Sequence, residues 1–241
     1  MNTAKETWDV RSSSSSQCDL YCVSLDVSPP RLAQLSATLS HDELARAGRF
    51  YFERDERRYI AGRGLLREIL ATQLQLDPDE LAFSYGVHGK PALAAFPSQP
   101  IVHFNLAHSG SIGVVAVSRD AEVGVDVEQV RTIPNLIELL PLVFSGDERE
   151  EWLALSNAER LRAFFQCWTI KEAFLKAVGK GLSDPLDRIQ VRYARDGGSP
   201  SIRLVDVDES AWSFHSFAMD GCATALAVNT QQSCARLSKW P

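Results

Sequence analysis

Two acidic side chains inside an apolar run are the first candidates for chemistry. The stretch "GVDVEQV", residues 124 to 130, places Asp126 and Glu128 two positions apart. Because successive side chains of a strand alternate, both acids would share one face while Val125 and Val127 enter the core. Adjacent carboxylates repel unless a cation lies between them, and such hard oxygen ligands suit Mg²⁺ better than zinc. For this motif alone, solvated acids on an exposed strand face are the alternative.

A third acid lies in an unusual place on a helix. In "FFQCWTIKEAFLKAVG", Glu172 follows the stripe of Phe165 and Trp168 and precedes Leu175, an arc that otherwise belongs in a core. An ordinary helix pair between Glu172 and Lys176, four positions on, is the competing interpretation. That pair does not explain why the glutamate lies among aromatic residues.

Hydrophobic periodicity predicts the elements that precede these acids. A strand is expected near residues 19 to 27. Helical periodicity then extends from residue 40 to residue 76, with Ser40 and Glu43 spaced as a capping box. A break near residues 52 to 55 divides it into two predicted helices.

The remaining elements surround the acids themselves. "VHGKPAL" is a predicted turn, and "IVHFNLAHSGSIGVVAVS" is a predicted hairpin around Ser109 and Gly110. "VGVDVEQV" is a strand, "SGDEREEWLAL" and "AERLRAFFQCWTIKEAFLKAVG" are helices, and Gly179 is placed to end the second helix. Two or three more strands are expected up to about residue 229.

A weak internal repeat relates the two ends of the chain. "GLLRE" (64 to 68) and "AFLKA" (173 to 177) are 109 positions apart, and "SGSIGVVAVS" (109 to 118) and "DGCATALAVN" (220 to 229) are 111 positions apart. Chance recurrence in a mixed protein is the alternative. Duplication predicts an α+β fold of two pseudo-symmetric α/β subdomains, each a helix packed on a small antiparallel sheet, with a ligand between them.

The domain organisation follows from this repeat and from the serine run near the start. Residues 1 to 17 are predicted to be a flexible tail, because Ser12 to Ser16 offer nothing to bury. Residues 18 to 119 form the predicted N-terminal subdomain and residues 120 to 241 the C-terminal one.

Composition excludes several classes of partner. The net charge is −6, which argues against nucleic acid and anionic membranes as partners, so any polyanion must be held by a local basic pocket. The five cysteines show no CxxC motif and no zinc spacing with histidine, which fits a reducing cytoplasm. No apolar stretch is long enough to span a bilayer.

Four ordered motifs resemble one enzyme family. "GVDVEQV", followed about forty residues later by "WTIKEAFLKAVGKGL", resembles the paired signature of the surfactin-type 4′-phosphopantetheinyl transferases, roughly (I/V)G(I/V)D and (F/W)xxKExxxK. "GKPAL" and "FNLAHSG" match further segments of that family in order and spacing, so the resemblance covers about residues 40 to 190.

The resemblance implies a reaction and a fold. Family members transfer the phosphopantetheine arm of coenzyme A to a serine of an apo acyl or peptidyl carrier protein, require Mg²⁺ and release adenosine 3′,5′-bisphosphate. The family fold is two pseudo-symmetric α/β halves with coenzyme A between them, and a monomer is expected. The client pathway, whether fatty-acid, polyketide or nonribosomal-peptide synthesis, stays open.

The resemblance also assigns the acids. It implies that Asp126, Glu128 and Glu172 bind Mg²⁺. Glu172 is the candidate general base and Lys176 would stabilise or protonate the leaving phosphate, where it also contacts coenzyme A. A base water positioned by Glu128 stays open as an alternative.

The nucleotide end of coenzyme A needs cations. The resemblance points to Arg46, Arg63 and Lys90 near the 3′-phosphate, Pro91 against the adenine and His108 on a phosphate. A solvated helix face is the competing interpretation for each arginine.

Two positions depart from the family pattern. Family members often have a hydroxyl residue where this chain has Ala107 and a lysine where it has Glu43, which leaves the details of 3′-phosphate binding open.

Two other functions compete with the transferase interpretation. One is a Mg²⁺-dependent phosphohydrolase that uses the same three acids, and the other is a module that binds carriers without catalysis.

Overall fold

The computed structural model describes five ranges of the 241-residue chain, namely residues 16–94, 101–179, 185–192, 201–204 and 209–241. Residues 1 to 15, most of the predicted tail, lie outside these ranges, while residues 16 and 17 already belong to the first strand.

The elements divide into two similar series. The first series comprises β1 (Ser16–Ser24), α1 (Pro29–Ala37), α2 (His41–Ala47), α3 (Glu53–Leu74), a 3-10 turn (Pro78–Glu80), β2 (Phe83–Tyr85), β3 (Pro91–Leu93), β4 (His103–Ser109) and β5 (Ile112–Ser118). The second comprises β6 (Val123–Gln129), α4 (Leu136–Val143), α5 (Gly146–Ala154), α6 (Asn157–Val178), a 3-10 turn (Leu186–Arg188), β7 (Ile189–Arg192), β8 (Ser201–Leu204), a 3-10 turn (Glu209–Ala211), β9 (Ser213–Met219), β10 (Cys222–Val228) and β11 (Ser233–Lys239).

Two main sheets carry the repeat. One has the strand order β11-β1-β5-β4 and the other the order β6-β10-β9. Each contains a hairpin with seven-residue strands: β4 pairs with β5 so that Ser109 opposes Ile112, and β9 pairs with β10 so that Met219 opposes Cys222. Small hairpins β2-β3 and β7-β8 complete the described sheets.

A long helix covers the outer face of each main sheet. Helices α3 and α6 both contain 22 residues. Buried residues of α3 pack with Val115 and Val117 of β5, whereas those of α6 pack with Ala225 and Ala227 of β10. A third apolar cluster, which includes Val114 and Val125, joins the inner faces of the two sheets. The result is four layers, helix, sheet, sheet and helix, with one apolar core in each gap.

Local signals explain where the helices begin and end. Ser40 and Glu43 form the predicted capping box at the start of α2. The predicted break lies between α2 and α3. Gly179 ends α6 with a left-handed φ of 74°, a conformation that glycine adopts without strain.

The structure confirms the predicted α+β fold of two pseudo-symmetric halves and the hairpin around Gly110. The prediction of two or three strands up to about residue 229 was too low, since the described residues form four by Val228 and a fifth, β11, beyond it. The last of them, β11, crosses to the sheet of the first half and pairs in parallel with β1. No helix in the described ranges is both long and apolar enough to cross a membrane.

Candidate active site

The site lies where β6 and α6 approach most closely. A β-carbon on Gly124 would overlap the backbone of Ala173 and Ala177, so only glycine permits this contact. The close approach brings the side chains that follow Gly124 on the same strand face, those of Asp126 and Glu128, against the face of α6 that carries Glu172.

Asp126 is held by the last lysine of the helix motif. Its side chain is buried, and Lys176 Nζ donates to its Oδ1 over 2.6 Å. Burial raises the pKa of Asp126 to about 7, and the neighbouring charges of Glu128 and Glu172 add to the rise while Lys176 opposes it. Within the described residues, Oδ2 of the same carboxylate is buried and has no hydrogen-bond partner.

Glu172 is the buried helix acid that the sequence predicted. Only 7% of the residue is exposed, and its Oε1 atom has no hydrogen-bond partner among the described groups. Burial raises the pKa of Glu172, the charge of Glu128 raises it further, and Lys176 opposes both effects. The two acids therefore share an environment that favours binding a proton or a cation.

Glu128 and His108 form the more open side of the cluster. Ser109 Oγ, at the end of β4, donates to Glu128 Oε2 over 2.9 Å and accepts the backbone N–H of Gln129 over 3.1 Å. The surrounding protein lowers the pKa of His108 by desolvation, the Lys176 cation lowers it further, and Glu128 opposes both. The structure thus brings His108, Asp126, Glu128, Glu172 and Lys176 together.

The donor chemistry of this cluster fits a hard divalent cation. Two buried carboxylate oxygens, Asp126 Oδ2 and Glu172 Oε1, have no hydrogen-bond partner in the part of the chain that the structure describes. A third carboxylate, that of Glu128, lies close enough to raise the pKa of both groups. Over the described residues, however, no group of three or more His, Cys, Asp or Glu side chains is already arranged to hold a metal ion. Asp126 Oδ1 instead accepts the hydrogen bond from Lys176 Nζ.

Lys90 and Pro91 line a neighbouring cleft of about 510 Å³ between the two halves. Lys90 Nζ donates to Glu122 Oε2 over 2.8 Å and to the backbone oxygen of Ala177 over 2.7 Å. The indole of Trp212 contributes to another wall. The cleft therefore offers a cation and flat apolar surface near the end of α6.

The two predicted arginines, Arg46 and Arg63, lie on α2 and α3 of the first half. The guanidinium of Arg46 lies 5.6 Å from the ring centroid of Tyr59 on an exposed surface. Arg63 is buried, and its Nε donates to Glu43 Oε1 over 2.8 Å. This ion pair engages the guanidinium inside the protein, and a contact between Arg63 and a 3′-phosphate stays a prediction.

Three residues of the site were missed in the sequence. Ser109 supports Glu128, and its place in "FNLAHSG" was the available signal. Gly124 permits the close approach of α6, and it precedes the first acid by two positions. Arg58 lies near enough to lower the pKa of His108, although its Nε donates to Asp26 Oδ1 over 2.7 Å. Nothing in the sequence distinguished Arg58 from the other arginines of α3.

Family models match both halves of the chain. The model described as "4′-phosphopantetheinyl transferase superfamily" matches residues 122–228, and the one described as "4′-phosphopantetheinyl transferase, N-terminal" matches residues 26–120. The chain therefore belongs to the 4′-phosphopantetheinyl transferase family, as its motifs predicted.

Named relatives place the chain within the surfactin-type group. It is 36% identical to the 4′-phosphopantetheinyl transferase HetI of Nostoc sp. (strain PCC 7120) over 89% of this chain and 88% of that protein. It is also 36% identical to the 4′-phosphopantetheinyl transferase Sfp of Bacillus subtilis (strain 168) over 70% of this chain and 72% of that protein. The chain is accordingly an enzyme of the Sfp type.

Solved structures of holo-[acyl-carrier-protein] synthases resemble part of the fold. The Thermotoga maritima structure has a TM-score of 0.38 and 23% identity, covering 46% of this chain and 64% of that one. The Bacillus anthracis structure, in complex with CoA (3′,5′-ADP), has a TM-score of 0.40 and 21% identity, covering 46% of this chain and 96% of that one.

Proposed function

We propose that the cluster of Asp126, Glu128 and Glu172 is the place where this transferase passes the phosphopantetheine arm of coenzyme A to a serine of an apo carrier protein. The observation that carries the proposal is a pair of buried carboxylate oxygens beside Lys176, on Asp126 and Glu172, for which the described residues offer no hydrogen-bond partner. Buried charges without partners are costly, and such groups concentrate at functional sites.

The reaction assigns a task to each of these groups. The serine oxygen forms a bond to the β-phosphorus of the pyrophosphate, and the bond from that phosphorus to the bridging oxygen breaks. Glu172, whose raised pKa suits a proton acceptor, takes the serine proton directly or through a water positioned by Glu128. Lys176 turns from Asp126 to the leaving adenosine 3′,5′-bisphosphate, which gains negative charge as the bond breaks.

The same three carboxylates are the proposed ligands of Mg²⁺. Bound there, the ion would supply positive charge that neutralises the two phosphates of the coenzyme A pyrophosphate. The support is the set of hard oxygen donors, two of which find no partner within the described ranges. For this set to bind an ion, the contact between Lys176 and Asp126 must open.

Coenzyme A is proposed to occupy the neighbouring cleft with its nucleotide end. Lys90 supplies a cation for a phosphate, Pro91 lies against the adenine, and His108 reaches a phosphate between the cleft and the carboxylates. Arg46 stays a candidate for the 3′-phosphate because its guanidinium faces solvent.

One experiment separates the transferase from its two rivals. The protein is incubated with coenzyme A, Mg²⁺ and a panel of apo carriers, and each carrier is weighed by mass spectrometry. A mass gain of one phosphopantetheine on a carrier supports the proposal. Steady release of adenosine 3′,5′-bisphosphate without any carrier would favour a phosphohydrolase, and an undiminished cellular effect of Glu172→Gln would favour a module that binds without catalysis.

A monomer acting in the cytoplasm completes the proposal. Both halves of the site come from a single chain, so a second copy is not needed to build it. The five cysteines all lie in described strands or helices and none is joined to another in a disulfide, which fits a reducing compartment. Light scattering coupled to size-exclusion chromatography would detect a dimer.

A further inference from the structure

A buried ion pair lies one residue before Glu172 on α6. Lys171 is fully buried, and its Nζ donates to Glu148 Oε2 over 2.7 Å and to the backbone oxygen of Val143 over 2.6 Å. Glu148 Oε1 accepts the backbone N–H of Val191 over 2.6 Å. The pair therefore ties α6 to the end of α4, to the first turn of α5 and to β7.

The first half contains the same arrangement at matching positions. Glu43 in the first turn of α2 accepts from Arg67 Nε of α3 over 2.8 Å, and both residues are buried. Each glutamate is the last residue of a capping box, "SHDE" at 40 to 43 and "SGDE" at 145 to 148, and each accepts the backbone N–H of the serine that opens its box. Arg67 and Lys171 occupy the same position in their 22-residue helices.

The residue that follows the cation differs in its surroundings. Glu68, after Arg67, forms a two-fold hydrogen-bonded pair with Arg31 at 2.6 and 2.7 Å. Glu172, after Lys171, enters the carboxylate cluster. The buried pair is also present in the first half, whose described residues form no such cluster. A direct part in the reaction therefore cannot be the reason for the pair.

We infer that Lys171 and Glu148 are positioning residues for the reaction, an inference that rests on the proposed function of Glu172. Successive residues of a helix point about 100° apart, so fixing Lys171 fixes the direction of Glu172 and, one turn on, of Lys176. A buried charge pair with several hydrogen bonds tolerates few alternative arrangements. The pair thereby sets the rotation and height of α6 against β6.

The test compares Lys171→Met with the matched variant Arg67→Met. Each change removes a buried cation from the same helix position, and urea unfolding measures the loss of stability in each. For folded protein with saturating coenzyme A and carrier, Lys171→Met should lower kcat by roughly 10²-fold and leave KM for coenzyme A unchanged, since the acids are misplaced while the cleft is intact. Arg67→Met should keep the kcat of the parent.

A structural readout accompanies the kinetics. Hydrogen exchange of the α6 amides around Glu172 should accelerate in Lys171→Met and stay at the parent rate in Arg67→Met. The double variant Glu148→Leu with Lys171→Met removes both charges, so it should regain stability without regaining kcat.

Three results would overturn the inference: parental kcat in Lys171→Met despite its lost stability, an equal fall of kcat in Arg67→Met, or full recovery of kcat in the double variant. If the parent protein modified no carrier at all, the proposed function itself would fail, which is a distinguishable outcome.

Discussion

Tyr21 and Asp126 occupy matching places in the two halves. Tyr21 of β1 pairs with Val115 of β5, an inner strand of the first main sheet. Asp126 of β6 pairs with Ala225 of β10, the central strand of the second main sheet. Each faces the long helix of its own half. Tyr21 accepts a hydrogen bond from Gln73 of α3 over 2.8 Å, whereas Asp126 accepts one from Lys176 of α6.

The next position on the same strand face continues the contrast. Val23 is buried in the apolar cluster under α3, whereas its counterpart Glu128 bonds to Ser109. In the first half this face is filled by packing and a neutral hydrogen bond. In the second half the same framework carries carboxylates that the described residues do not fully satisfy. The comparison teaches that two similar halves can share a buried ion pair while only the second carries the carboxylate cluster among the described residues.

The largest expected effect is the loss of kcat when an acid of the second half is changed but its counterpart in the first half is not. Asp126→Ala or Glu172→Gln should lower kcat by at least about 10²- to 10³-fold, the usual cost of removing one group that stabilises transition-state charge. The matching changes in the other half, Tyr21→Phe and Glu68→Gln, should leave kcat unchanged. Single-turnover mass spectrometry of carrier modification measures all four. Normal turnover in the first pair would contradict the assignment of the site.

A second change tests the close approach of strand and helix. Gly124→Ala adds a methyl group that overlaps the α6 backbone, so it should destabilise the protein by about 1 to 3 kcal/mol and reduce transfer. Gly62→Ala on α3 is the matched control, because its β-carbon would meet Leu25 at an ordinary 3.6 Å.

The control should be neutral or stabilise the protein by up to about 1 kcal/mol, as alanine favours helix. Urea unfolding gives both values. A neutral Gly124→Ala would show that α6 can shift away from β6 without cost.

The third prediction concerns the cleft and binding rather than chemistry. Lys90→Ala should chiefly raise KM for coenzyme A, by about tenfold if one charge-assisted contact is lost, with a small change in kcat. Steady-state kinetics with varied coenzyme A measures the split. A pure fall in kcat would instead place Lys90 at the reacting phosphates.

The smallest expected effect concerns the pH dependence of stability at two contacts between the main sheets. Where β4 meets β6, Asn105 Oδ1 accepts the backbone N–H of Val125. Where β9 meets β11, His215 Nε2 lies 2.8 Å from Ser233 Oγ. Burial lowers the pKa of His215. As the pH falls through the ordinary histidine pKa of about 6.5, the unfolded chain therefore binds a proton before the folded protein does, and stability decreases.

We expect this group to contribute a slope of at most about 1.4 kcal/mol per pH unit to the unfolding free energy below about pH 6.5. His215→Gln should remove that contribution, and His88→Gln, at an exposed turn residue, should not. Urea unfolding at several pH values measures the slopes. An unchanged slope in His215→Gln would show that protonation of His215 does not affect the free energy of unfolding.

Local features of the fold were predictable because their signals lie within a few residues of one another. The capping box of Ser40 and Glu43, the turn at Gly110 and the helix end at Gly179 are examples. Helix α1 was missed, although two prolines open it, because its stability comes from Leu35 packing against Gly64 on α3. Such contacts between distant segments leave no periodic signal.

The candidate site shows the same division. Glu172 could be recognised because a charge on an apolar stripe is unusual within a single helix. The partner of Arg63 could not be recognised, because Glu43 is on another helix and looked like a departure from the family pattern. In the structure, this glutamate accepts hydrogen bonds from both Arg63 and Arg67. Burial alone would raise the pKa of Glu43. The charge of Arg63 and the backbone N–H of Ser40 outweigh that effect, so the pKa of Glu43 is lowered.

The path of β11 sets a limit on how the chain can be shortened. Its seven residues pair with β1 from Ser16 to Cys22, at the opposite end of the sequence. A protein cut after β10 would leave the outer side of β1 with unpaired amide and carbonyl groups, a template on which strands of other molecules can assemble. We therefore expect β11 to limit aggregation through the first half, and a fusion partner joined after β11 needs a spacer that leaves the strand in register.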